Sequence, residues 1–143
     1  MNKLAIVYWS GTGNTEVMAN CIAEGAKEAG AEVTLMGPAD FSTARLSEFN
    51  VVAFGCPAMG AEVLEEMEFD SMFSGIESFL NGKRIALFGS YGWGDGQWMR
   101  DWCKRCDEHG ANLYDENGLI AIETPDASAQ EKCRELGRKL AAW

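Results

Sequence analysis

Five short apolar runs punctuate the chain, and helical periodicity fills most of the intervals between them. Residues 4–8 (Leu4, Ala5, Ile6, Val7, Tyr8) are apolar without alternation, the pattern of a strand buried on both faces. Helical spacing follows over 15–29, with Val17, Met18, Cys21, Ile22, Gly25, Ala26 and Ala29 on the inner face and Gly30 as the stop. A second strand is predicted over 32–36, ended by Gly37-Pro38, and a third over 51–54, ended by Gly55-Cys56-Pro57. Residues 62–80 read as mostly helical after an irregular start. A fourth strand, 84–88, runs into the glycine-rich stretch Gly89-Ser90-Tyr91-Gly92-Trp93-Gly94. Asp95 can cap the next helix, 97–108, which Gly110 stops. A fifth strand, 119–122, precedes a last helix that starts at Pro125-Asp126 with Ser128 and Glu131 as a capping box. Cys133, Leu136 and Leu140 face inward on it.

Doubly apolar strands that alternate with helices require a parallel sheet covered on both faces. The expectation is an α/β fold: a single doubly wound five-stranded parallel sheet with helices on both faces. In such sheets ligands bind beyond the carboxyl ends of the strands. Three of the predicted strands end there in unusual loops, around residues 10–15, 57–62 and 89–95.

The first loop, Tyr8-Trp9-Ser10-Gly11-Thr12-Gly13-Asn14-Thr15, joins a strand exit, a tight turn and a helix start. Gly11 and Gly13 let the backbone turn, while Ser10, Thr12, Asn14 and Thr15 offer neutral hydrogen-bonding groups. Backbone N–H groups, hydroxyls, an amide and a helix N-terminus together make a cradle for a phosphate. It contains no lysine or arginine, unlike most nucleotide-hydrolysing loops. The second loop, Pro57-Ala58-Met59-Gly60 closing at Glu62, and the third, Ser90-Tyr91-Gly92-Trp93-Gly94, are apolar, aromatic and glycine-rich. Met59 and Trp93 suit the two sides of a flat ring, and Glu62 can accept a ring N–H. Each feature alone has a plainer reading: a common glycine turn, a core methionine, a structural tryptophan. Their convergence at strand carboxyl ends is what packing does not explain.

At 143 residues and 47% hydrophobic content, the chain has one domain's worth of core, expected to span 1–143. Its apolar stretches are strand-sized, so no membrane span is expected. Met1-Asn2-Lys3-Leu4 has no secretory pattern, and a cytoplasmic location is expected. With 22 acidic against 12 basic residues the net charge is −10, which repels nucleic acid and anionic membranes and favours basic protein partners. Five cysteines, an odd number, argue against a disulfide framework and for a reducing compartment.

The segments Tyr8-Trp9-Ser10-Gly11-Thr12-Gly13-Asn14-Thr15-Glu16, Gly55-Cys56-Pro57-Ala58-Met59-Gly60 and Leu87-Phe88-Gly89-Ser90-Tyr91-Gly92-Trp93-Gly94-Asp95 resemble the flavin-binding loops of flavodoxins, and are most similar to the short-chain clostridial type. The resemblance covers the whole chain and implies strand order 2-1-3-4-5, bound flavin mononucleotide (FMN), no catalytic residue and no metal. It implies that Ser10, Thr12, Asn14 and Thr15 hold the phosphate, with the backbone N–H groups from Gly11 through Gly13 to Thr15. Met59 and Trp93 would flank the ring, Gly60 would present its carbonyl to a protonated N5, and Glu62 would accept the N3 hydrogen. Gly92 and Trp93 would offer N–H groups to the pyrimidine end. Pro57 stands where some relatives carry a phosphate-reaching serine, and the stretch 112–118 matches poorly. The implied function is a low-potential one-electron carrier between redox enzymes, cycling mainly between semiquinone and hydroquinone, as a monomer. Glu62, Glu65, Glu66, Glu68 and Asp70 place five carboxylates in nine residues, either a solvated helix face or a docking rim for a basic patch on a redox partner.

Other chemistries lack their residues. A receiver domain needs an aspartate where Cys56 stands, a P-loop needs a Gly-Lys-Ser/Thr, a dinucleotide fingerprint needs glycine at Glu16, and no cysteine has an arginine six residues on. Cys103 and Cys106, with His109 nearby, fall short of four zinc ligands, and on a helix His109 points about 120° away from Cys103. They lie late in their helix, where nothing lowers a thiol pKa, so packing is expected of them, as of Cys21, Cys56 and Cys133. With one histidine there is no convincing base for a hydrolase triad. The alternatives to a carrier are a flavin-dependent reductase of a small acceptor such as a quinone, or a flavin-free binding module.

Overall fold

The computed structural model describes residues 2–143; Met1, read above as leading into the first strand, lies outside the described residues. Strands β1 (Lys3–Tyr8), β2 (Glu32–Met36), β3 (Val51–Gly55), β4 (Arg84–Tyr91), β5 (Asn112–Leu113) and β6 (Leu119–Ile122) form one parallel sheet. Its order is β2-β1-β3-β4-β5, with β6 also on β4, so 2-1-3-4-5 holds and the fifth position is shared by two short strands. β5 pairs with the start of β4 at Arg84 and Ile85, and β6 with its end at Phe88–Tyr91. The poorly matching stretch 112–118 is thus a short strand and a turn. Asp115 accepts from Asn117 N–H in that turn, which closes on Gly118 at φ +70.

Side-chain alternation explains the doubly apolar strands. Leu4 and Ile6 of β1 enter one core with α1 (Asn14–Glu28) and α5 (Ala127–Ala142). Ala5 and Val7 enter the other with α3 (Phe69–Ile76) and α4 (Gln97–Glu108). On the first face α1 and α5 pack backbone to backbone: a Cβ on Gly25 would lie 1.9 Å from the Arg134 carbonyl oxygen, and one on Gly137 2.0 Å from that of Ile22. The buried stripe of α1 carries Ala19 and Ala23, while Ala29, expected inward, is exposed. The second face is aromatic, with Phe69 and Phe73 each edge-on to Trp102.

Four local expectations give way. The helix expected over 62–80 is only α3 plus a 3₁₀ turn at Glu77–Phe79, because side-chain and turn hydrogen bonds claim the preceding backbone. Asp95 does not cap α4: Gly96 holds that position at φ +93, and Asp95 pairs with Arg100 at 2.9 Å. Asp126, not Ser128, caps α5 by accepting from Ala129 N–H at 2.8 Å, while Glu131 pairs with Arg134 and Arg138. β4 continues past residue 88 to Tyr91. A 3₁₀ turn (Pro38–Asp40) and a short α2 (Thr43–Leu46) are additions that bury Phe41 and Leu46. Among the described residues no helix is long and apolar enough to cross a membrane.

Candidate functional site

The parallel register brings the carboxyl ends of β1, β3 and β4 level. Tyr8 sits opposite Gly55, and Gly55 opposite Phe88. The first loop leaves β1 with Trp9 still donating to the Gly55 carbonyl at 3.1 Å. Ser10 Oγ then accepts from the N–H groups of Gly13 (3.1 Å) and Glu16 (3.3 Å), which folds the loop back over the head of α1. Gly13 turns at φ +98, a region glycine occupies without a Cβ penalty. Among the described residues no protein group accepts from the N–H groups of Gly11, Thr12, Asn14 or Thr15. Those donors meet at the positive end of a 15-residue helix, which is the donor set an anion needs.

The second loop is pinned at its base. Cys56 N–H donates to Phe88 O at 3.1 Å, its carbonyl accepts from Trp98 Nε1 at 3.1 Å, and Ala58 N–H donates to Ser90 O at 3.0 Å. A Cβ on Gly89 would lie 2.2 Å from the Cys56 oxygen, so only glycine lets the second and third loops touch here. Met59 and Val63 exchange two hydrogen bonds (2.8 and 3.0 Å) and close a tight turn. Gly60 (φ +46) and Glu62 (φ +56) both lie in the left-handed region. Glu62 Oε1 accepts from Gln97 N–H at 3.1 Å, so its carboxylate serves the start of α4. A Cβ on Gly94 would meet that carboxylate at 2.6 Å.

These loops enclose a cavity of about 230 Å³. Of the predicted residues, Gly11, Thr12, Asn14, Pro57, Ala58, Met59, Ser90, Tyr91 and Gly92 line it. Ser10, Gly13 and Thr15 frame the cradle from behind; Thr15 and Ser90 are buried and share a hydroxyl–hydroxyl bond of 2.9 Å. Gly60, Glu62, Trp93 and Gly94 do not line it, and Trp93 is 60% exposed. Thr12 and Met59 therefore meet on one cavity, whereas Trp93 stands outside it beside its neighbours Tyr91 and Gly92. No lysine or arginine lines the cavity; its charged member is Glu123.

Glu123 and Trp9 also line the cavity, and neither is among the predicted binding residues. Glu123 has φ +53 and donates its N–H to Tyr91 O at 2.6 Å, and the next residue, Thr124, donates to Asn14 Oδ1 at 3.2 Å. The end of β6 is thus a fourth contributing loop. The rule that ligands sit beyond strand carboxyl ends pointed to it as much as to the other three.

The acidic run 62–70 is not one rim. Glu65 is buried, Asp70 pairs with Arg105 at 2.8 Å, and Glu66 and Glu68 are the exposed carboxylates. All five cysteines are buried thiols, and burial pushes Cys56 up to about 12. A donor cradle without counter-cations, continuous with a slot of Ala58, Met59, Tyr91 and Gly92, fits a phosphate ester joined to a flat ring system.

A protein-family model described as flavodoxin matches residues 6–137. The chain is 46% identical over 138 residues to a flavodoxin of Clostridium beijerinckii, covering 96% of this chain and 99% of that one. It is 43% identical to a flavodoxin of Megasphaera elsdenii, covering 95% and 96%. The solution structure of the two-electron-reduced M. elsdenii flavodoxin superposes with a TM-score of 0.87 over 98% of this chain and 99% of that one, at 41% identity.

Proposed function

Because this chain belongs to the flavodoxin family, and is accordingly an FMN-binding electron carrier rather than an enzyme, we propose that it works at the low-potential end of that role. It would shuttle single electrons between redox enzymes by alternating mainly between the semiquinone and hydroquinone forms. When bound, FMN supplies the electron chemistry, and the protein supplies binding, orientation and field. The whole chain, 1–143, acts as one FMN-binding domain and as a monomer.

The observation that supports this reading is a cavity whose phosphate end is built from neutral donors and whose ring end carries no cation. The N–H groups of Gly11, Thr12, Asn14 and Thr15, with the hydroxyl of Thr12, take the phosphate; Ser10, Gly13, Thr15 and Ser90 hold the cradle in shape. Pro57, Ala58 and Met59 would face one side of the ring, and Tyr91, Gly92 and the exposed Trp93 the other. Gly60 would present its carbonyl to a proton on N5. Glu62 would offer its second oxygen to the N3 hydrogen, with Gly94 giving the carboxylate room. An added negative charge on the ring meets an apolar slot, the Glu123 carboxylate and an acidic protein, so its formation is disfavoured. The second potential is therefore very negative.

A stepwise anaerobic dithionite titration of the FMN-loaded protein tests this. Two separate one-electron steps are expected, the second at strongly negative potential. A single two-electron step would overturn the reading and favour the reductase alternative. Lysines introduced beside the ring raise the second potential, most at low salt. The partner docks through a basic patch on the exposed carboxylates near the ring edge, Glu66 and Glu68 among them.

A further inference from the structure

Glu65 is the one buried carboxylate among the described residues, and it never reaches the cavity. Its Oε1 accepts from the N–H groups of Glu68 and Phe69, both at 2.8 Å, and its Oε2 from that of Met67 at 2.9 Å. Its carbonyl accepts from Asp70 N–H at 2.8 Å, and its own N–H donates to Cys56 Sγ at 3.3 Å. Every polar atom of Glu65 is therefore engaged. Cys56, at the other end of the same loop, is held by β4 and by Trp98. The loop 56–65 thus closes on itself, sulfur to amide, with the Met59–Val63 turn at its tip.

We propose that Glu65 is a positioning residue for the Gly60 turn: its carboxylate locks the frame 56–65, so that backbone movement is confined to the tip. This rests on the reading of Gly60 as the residue that holds the N5 proton. Three N–H donors at the head of α3 require a side chain with acceptors on both oxygens. A glutamine would turn an NH₂ group toward one of those donors, and an aspartate is one methylene too short. A loosened frame spreads the turn over many conformers, which lowers the gain from the proton-holding carbonyl but leaves the charge around the ring nearly unchanged.

The test compares Glu65→Gln with Glu66→Gln, an equal charge change at an exposed neighbour, in the FMN-loaded protein. Both one-electron midpoints are measured at low and high salt. Glu66→Gln should raise the second midpoint, the step in which the ring gains a charge, by an amount that salt removes, and leave the first nearly unchanged. Glu65→Gln should lower the first midpoint at both salt concentrations, with the formation constant of the one-electron-reduced form falling about tenfold. Cys56→Ala cuts the frame from its other end without a charge change, should give the same lowering, and carries the test if Glu65→Gln does not fold. A rise of the second midpoint with the first unchanged in Glu65→Gln, or unchanged midpoints in Cys56→Ala, overturns the proposal. Gly60→Ala run alongside separates the two ideas: unchanged midpoints there sink the Gly60 reading, whereas a shift there with none in Glu65→Gln or Cys56→Ala sinks the frame alone.

Discussion

At the scale of single residues, the site depends on backbone conformations that few side chains tolerate. Gly60 at φ +46 has nothing within 4 Å of where a Cβ would lie, so an alanine there meets no clash. The cost is conformational: alanine resists both the left-handed region and the excursion needed to turn the carbonyl. Losing one such hydrogen bond, about 1 kcal/mol, moves a one-electron potential by tens of millivolts. Gly60→Ala should therefore lower the first potential and, through the strain of alanine at φ +46, lower the thermal midpoint of the apoprotein by the equivalent of about 1–2 kcal/mol, as redox titration and calorimetry will show. Gly94 poses the opposite problem, because its Cβ would strike the Glu62 carboxylate at 2.6 Å. Gly94→Ala should release Glu62 from Gln97 and weaken FMN binding, measurable by quenching of flavin fluorescence. Among the described residues, Glu62 and Glu123 are the two non-glycine residues at positive φ, and Glu123 borders the cavity while Glu62 serves the turn beside it. Backbone strain gathers here as it does at other functional sites.

At the scale of elements, two contacts decide how the loops are presented. The α1–α5 crossing brings Gly25 against the backbone of Arg134 and Gly137 against that of Ile22. Gly137→Ala must push the helices apart and should cost about 1–3 kcal/mol, read as a lower urea midpoint. Because α1 carries the phosphate cradle at its head, FMN affinity should fall with it. On the other face, Arg105 of α4 ties to α3 through Asp70 at 2.8 Å, Glu77 and Ser74 Oγ at 3.1 Å, and lies 4.9 Å from the Phe73 ring centre. That network takes Asp70 out of the surface field. Sequence periodicity found α1, α4 and α5 because each lays a regular apolar stripe on the sheet. It overextended α3, since Phe69, Phe73, Ile76 and Leu80 keep a helical rhythm although Glu65 has already taken the N–H groups of residues 67–69 and the stretch before them is turns.

At the scale of the molecule, charge and buried thiols set the responses to conditions. A net charge of −10 with Glu66 and Glu68 exposed predicts electron-transfer rates to a basic partner that fall as ionic strength rises; Glu66→Gln/Glu68→Gln should flatten that dependence in stopped-flow traces. Burial pushes the thiols of Cys56, Cys106 and Cys133 up to about 12 and that of Cys103 up to about 11, from an ordinary 9.0. The folded protein holds these protons more tightly than the unfolded chain does. Stability is therefore intact below pH 9 and declines as pH rises toward 11–12, by up to about 1.4 kcal/mol per pH unit for each thiol. Urea midpoints should drop between about pH 9 and pH 11, and Cys133→Ala should make that decline less steep. The sheet, its parallel sense and the three loops that meet around the cavity were legible along the chain, because apolar runs, helical stripes and glycine turns are local signals. Long-range packing alone brings Glu123 to the cavity and Thr124 to Asn14, buries Glu65 and gives Glu62 to α4. Those outcomes depend on which distant N–H groups lie within reach of a carboxylate, and no local pattern records that distance.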